Sequence, residues 1–152
     1  MSFISGVLSN KILIAAFCGW LVAQVLKTII YVAVNKSFNP ERLLGDGGMP
    51  SSHSATVMAM VTSTAFYFGP ETFEFAVTAI LALIVMHDAM GVRRETGKQA
   101  KVINNMMDWF QELNGDFNVE EKLKEFVGHT PLQVLFGAIL GIIVGLVVCN
   151  IM

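Results

Sequence analysis

Charge is scarce in this chain. Asp, Glu, Lys and Arg make up only 14% of the 152 residues against 54% hydrophobic ones, and the mean hydropathy is +0.61. A soluble domain of this length needs more polar surface, so the composition makes the bilayer part of the solvent and suits one membrane domain over residues 1–152. The formal net charge of -2 comes with no long basic run, which removes the electrostatic footprint of nucleic-acid binding. Cysteine is nearly absent. Cys18 and Cys149 both fall in apolar segments and read as small packing residues, not as a disulfide. Metal-ligand spacing is lacking too: His87 and Asp88 could be grouped with Asp46 or Glu95, but no pattern supports this, and neither metal nor cofactor is expected. The N-terminus has no basic region followed by a small-residue cleavage site, so the first apolar segment is expected to be retained.

What is present is a series of long apolar segments. Ile12 to Val34 is long enough to cross a bilayer, which takes about 20 apolar residues as helix, with Gln24 and Lys27 as its strongly polar interruptions. These two lie on one helical face, where Lys27 either snorkels to the interface or points into a polar pocket. Asn35 to Met49 is rich in turn formers and reads as a loop. A second helix is expected from about Ser51 to Phe68, its first half built of Ser, Thr, Ala and Met, and Gly69-Pro70 ends it. A third, about Thr72 to Ala89, must return antiparallel across so short a link.

The charged cluster from Gly91 to Lys98 reads as a glycine-bracketed connection. Val102, Met106, Phe110 and Leu113 then recur at helical spacing opposite Lys101, Asn105, Asp108 and Glu112, which predicts an amphipathic helix along the membrane surface, with Trp109 and Phe110 suited to the interface. Asn118 and Glu121 resemble a cap for a short charged helix that Gly128 closes. Pro131 to Ile151 carries no charged side chain and is the clearest span. Its Gly137, Gly141 and Gly145 form a strip against which a neighbouring helix, or the same helix of a second copy in a homodimer, can pack closely.

The expected fold is therefore all-α: a polytopic bundle of about four transmembrane helices plus an interfacial one. Four crossings place both termini on one side and the loops 35–49 and 90–130 on the other. Those loops carry Lys36, Arg42, Arg93, Arg94, Lys98, Lys101, Lys122 and Lys124 against Lys11 opposite, so the loop face is expected to be cytoplasmic, in the cell membrane.

Function points to one stretch, Gly47-Gly48-Met49-Pro50-Ser51-Ser52-His53-Ser54. Pro50 suits a chain entering a helix, Ser51 and Ser52 are good N-caps, and the first helical turn offers N–H groups at the positive end of the dipole, where phosphate binds. His53 can move a proton near neutral pH. The expected topology brings Lys27, His53, Arg93, Arg94 and His129 to the same membrane level. Two histidines with fixed cations can bind and act on a phosphate.

Pro50-Ser51-Ser52-His53 resembles the signature of the type 2 phosphatidic acid phosphatase (PAP2) superfamily, which also holds bacterial acid phosphatases and vanadium haloperoxidases. More closely, Gly48 to Ala55, Asp88 to Arg94 and Gly128 to Pro131 together resemble the small divergent PAP2 membrane proteins, over nearly the whole chain. The resemblance implies a PAP2-like fold in which His129 is the nucleophile that becomes a phosphohistidine and His53 protonates the leaving alcohol. Lys27, Arg93 or Arg94, Ser51 and Ser52 would hold the phosphate, with Gln133 where an aspartate usually orients the nucleophile. This chain departs from the pattern at Gln133, at Val34, which replaces a usual arginine, and in lacking an arginine just before His129. Thr130 to Gln133 also reads as a capping box, and Asp88 as a partner for a nearby arginine. The implied function is metal-independent phosphatase or phosphotransferase action on a lipid phosphate or other phosphomonoester. The alternative is a carrier or assembly protein that binds a phospholipid headgroup without cleaving it.

Overall fold

A computed structural model describes residues 3–37, 48–113, 122–125 and 127–152. The helices are α1 (Phe3–Leu8), α2 (Lys11–Asn35), α3 (Ser52–Phe68), α4 (Phe73–Met90), α5 (Val92–Leu113) and α6 (Pro131–Ile151). The chain folds as a polytopic helical membrane bundle with α3 at its centre, in contact with α6, α2 and α4. Caps place the helix starts: the side chains of Asn10, Ser51, Thr72 and Thr130 each accept from a backbone N–H in the first turn of α2, α3, α4 and α6.

Packing is inverted relative to a soluble protein. Large side chains point outward, as Phe17, Leu21 and Val25 do on α2 and Ile139, Ile143 and Leu146 on α6, while the interior is mostly small residues such as Ala15, Ala23, Ala55 and Ala59. Outside the bundle lies lipid, so burying leucine gains little and close helix approach supplies the packing energy. Among the described residues three helical stretches are long and apolar enough to cross a bilayer: Lys11–Asn35, Phe73–Leu113 through its α4 part, and Pro131–Ile151. The expectation was four. With 17 residues, α3 spans about 26 Å and falls just short; it is the more polar helix that the others surround. Its hydroxyls are satisfied inside the helix, Thr62, Ser63 and Thr64 donating to carbonyls of Met58, Ala59 and Met60.

Glycine lets α3 approach its neighbours. A Cβ on Gly19 would stand 2.7 Å from the Ala55 carbonyl oxygen, one on Gly141 2.5 Å from that same oxygen, and one on Gly145 2.9 Å from Thr62 Cβ. The strip of Gly137, Gly141 and Gly145 is thus filled by α3 of the same chain. Of the two options expected above, the structure shows the packing on a neighbouring helix.

Two expectations for the segment between the third and last helices also change. The cluster Val92 to Lys98 is not a connection but the first two turns of α5, which begins directly after Gly91. Residues 122–125 and 127–130 are not helical, and Gly128 closes no helix. Asn104, fully buried on α5, explains this. Its amide donates to the Leu123 carbonyl at 2.9 Å and to Glu125 Oε1 at 2.8 Å, and its Oδ1 accepts the Leu123 N–H at 2.9 Å, taking the backbone partners a helix would need. The cap predicted at Asn118 and Glu121 and the break at Asn114-Gly115-Asp116 lie outside the described residues, as do Arg42, Asp46 and Gly47.

At the far end of the bundle Lys11 Nζ donates to the Met152 carbonyl at 2.7 Å and lies 5.1 Å from the centre of the Tyr67 ring. The start of α2 and the end of α6 therefore share one end.

Two variants test this packing. Gly141→Leu should lower stability by about 1–3 kcal/mol or more, since the α3 backbone blocks the new side chain, and should appear as an earlier unfolding midpoint in detergent. Asn104→Ala should speed trypsin cleavage at Lys122 and Lys124 and cost about 1–3 kcal/mol through the unpaired Leu123 groups.

Candidate functional site

The end opposite Lys11 gathers the polar residues. Ser51 Oγ caps α3, accepting from the Ser54 N–H at 3.3 Å and the Ser54 hydroxyl at 3.0 Å, and the Ser51 N–H donates to the Gln133 carbonyl of α6 at 3.1 Å. This last bond sets the relative height of the two helices. His53 follows on the first turn of α3, and His129 immediately precedes the Thr130 cap of α6. Their rings meet edge to face, 6.0 Å between centroids with planes at 62°.

His129 is 2% exposed, and the end of α4 holds it, because its N–H donates to the Ala89 carbonyl at 2.9 Å. The residue before it must be glycine. Gly128 has φ +85°, and a Cβ there would lie 2.6 Å from Arg93 C and Arg94 Cα. Across the site Lys27 is 3% exposed, so it does not snorkel; its Nζ is 3.4 Å from Ser52 Oγ. Gly48, with φ +83°, lies on the aliphatic stem of Lys27, 3.1 Å from Cγ to a would-be Cβ. Gln24, one turn deeper, is also buried, and its Oε1 has no hydrogen-bond partner among the described residues.

The two arginines part ways. Arg93 Nε donates to Asp88 Oδ2 at 2.9 Å in a half-exposed ion pair. Arg94 instead lines a polar cavity of about 330 Å³ together with Gly48, His129 and Gln133. The same cavity is walled by Lys98 and Lys101 of α5 and by Glu125, none of which the sequence reading placed in a site. Arg94, Lys98 and Lys101 at i, i+4 and i+7 fall on one helical face, a signal that was present but hidden by treating Val92 to Lys98 as a connection.

Gln133 serves the helix start. Its Oε1 accepts the Thr130 N–H at 2.9 Å while Thr130 Oγ1 accepts the Gln133 N–H at 3.4 Å, a closed capping box. Its oxygen thus takes part in the cap. On the other side of the α4–α5 junction an open, almost wholly apolar groove of about 670 Å³ runs past Leu83, Ile84, Met86, Met90 and Val134, with His87 and Asp88 at its edge.

The geometry thus brings together Lys27, Ser52, His53, His129 and Arg94, leaves Arg93 on the rim with Asp88, and uses Ser51 and Gln133 as caps. Comparison with known proteins agrees with the sequence motifs. No solved structure matches the chain. A protein of Bacillus subtilis (strain 168) described as "Uncharacterized membrane protein YuiD" is 41% identical over 149 residues, covering 92% of this chain and 94% of that protein. The model of the Divergent PAP2 family matches residues 8–144, a span that takes in α2 through most of α6 and every residue of the histidine site, and the chain belongs to that family.

Proposed function

We propose that this protein is a membrane phosphatase or phosphotransferase that acts on a lipid phosphate or another phosphomonoester through a phosphohistidine. The single observation that carries the reading is the edge-to-face pair His53 and His129, 6.0 Å apart, with buried Lys27 on one side and the Arg94-lined cavity on the other. An attacking nitrogen about 3–3.5 Å from phosphorus and a donor about 2.6–3.2 Å from the leaving oxygen span a distance of the same order as the separation of these rings.

Neutral His129 attacks phosphorus, the P–O bond to the alcohol breaks, and His53 as imidazolium gives its proton to the departing oxygen. Water then attacks the phosphohistidine, losing its proton to His53, and inorganic phosphate leaves. Lys27, Ser52 and Arg94 would hold the equatorial oxygens, the fixed charge that phosphoryl transfer chiefly requires. Two imidazolium charges this close repel, which favours the state with one acid and one base.

The apolar groove beside Val134 supports a lipid substrate, because it lies one residue from Gln133 in the cavity wall. The excess of lysine and arginine at the site end over Lys11 at the other supports a cytoplasmic site, with both termini opposite, in the cell membrane. A second reading, headgroup binding without cleavage, is favoured by Gln133, a neutral amide in the helix cap that cannot carry the negative charge that would stabilise a cationic His129.

Protein purified in detergent should release phosphate from a lipid phosphate in the presence of a chelator. His129→Ala should reduce this to background, and His53→Ala should slow it about 10²–10⁴-fold. Full turnover by His129→Ala would sink the nucleophile assignment, while binding without release in the wild type would favour the second reading.

A further inference from the structure

We infer that α5 carries a second anion subsite, so that the preferred ligand bears a diphosphate and not a single phosphate; this rests on the proposed phosphate site at the histidine pair. Three side chains make the subsite. Arg94 is next to His129, since its backbone abuts Gly128, while Lys98 and Lys101 continue along the cavity wall one and two turns further. Seven helical residues advance about 10 Å, farther than one phosphate bound between Lys27, Ser52 and Arg94 can reach.

The charge balance points the same way. Among the described residues three cations and the one carboxylate of Glu125 face the cavity, and Glu125 already accepts from Asn104 at 2.8 Å. Among the described residues neither Arg94 nor Lys101 has an ion-pair partner, and Lys98 has only an exposed pair with Glu95, 2.6 Å away on its own helix, which water screens. Net positive charge therefore extends outward from the histidines. The wall is also held in place. Gly97, between Arg94 and Lys98, packs directly on Glu125 and Val127, where a Cβ would be 2.6 Å from the Glu125 carbonyl oxygen, and Asn104, about two turns further along α5, bonds the Leu123 backbone. A diphosphate fits this row: one phosphoryl group beside His129, the other between Lys98 and Lys101.

Binding tests the inference without turnover. Full-length protein in a neutral detergent is titrated with methylenediphosphonate and with methylphosphonate. The expected result is a preference of about tenfold or more for the diphosphonate, the worth of one to two additional charge-assisted contacts. The Lys98→Ala, Lys101→Ala double variant should bring the ratio close to one, and Lys98→Arg, Lys101→Arg should restore it. A third titration with an alkyl-chain methylenediphosphonate names the source: tighter binding than the chain-free compound supports a lipid-borne diphosphate, and equal binding a soluble one. No preference in the wild type, or a ratio that the alanine pair leaves unchanged, overturns the subsite. Neutral detergent removes anionic lipid, so a role of the lysines in general membrane attraction would appear as that unchanged ratio. Failure of phosphate release in the assay above would instead count against the catalytic reading and leave these ratios standing.

Discussion

The direct approach of the α3 and α6 backbones governs the rest of this structure. Gly137 faces the Ser51 carbonyl with no room for a side chain, and just above it the Ser51 N–H bonds the Gln133 carbonyl. Because His53 is two residues from Ser51 and His129 four from Gln133, fixing those two backbones fixes the imidazoles. A larger residue in the strip would separate the helices and with them the pair. Lipid gives little reward for apolar burial, so such contact has to come from dispersion and hydrogen bonding between close surfaces.

The same logic accounts for what is buried. An interior of alanine, glycine and serine has short side chains, and the polar groups it encloses must find partners nearby or carry a function. The hydroxyls of α3 bond their own helix. Gln24 is different, since its Oε1 has no hydrogen-bond partner among the described residues, and Lys27 is a cation buried in a membrane protein, which is costly to hold. In the proposed function a bound phosphate lies against the Lys27 ammonium and the neighbouring Ser52 hydroxyl.

Much of this was legible in the sequence because hydropathy and caps are local. Pro131–Ile151 was readable to the residue, and α2 and α4 to within one residue at each end, from apolar length and terminal cap residues. The gathering of Lys27, His53 and His129 at one end followed from antiparallel succession alone. What escaped depended on contacts distant in sequence. Nothing near Asn104 says that its amide will clamp Leu123, and without that clamp residues 122–128 read as a helix. The glycine strip announced a close neighbour but not which one, and α3 could be selected only once its Ser51, Ala55 and Ala59 were seen to be equally small. Gln133 was legible both as orienter and as cap, and the 2.9 Å bond to the Thr130 N–H makes the cap.

The departures from the superfamily pattern then take on a physical sense. Where Val34 stands in place of an arginine, α2 offers no cation at that position, and no arginine directly precedes His129. The cations facing the cavity come instead from α5, the amphipathic helix, through Arg94, Lys98 and Lys101. This moves the positive charge from the helical core to the bilayer edge, where lysine is cheap to hold and water can reach it. The deep side of the site keeps one buried cation, Lys27, and the shallow side has several exposed ones. Under the proposed function, an anion entering from the interface would meet rising attraction along α5 before reaching the imidazoles, so the helix that supplies these cations would also guide the ligand.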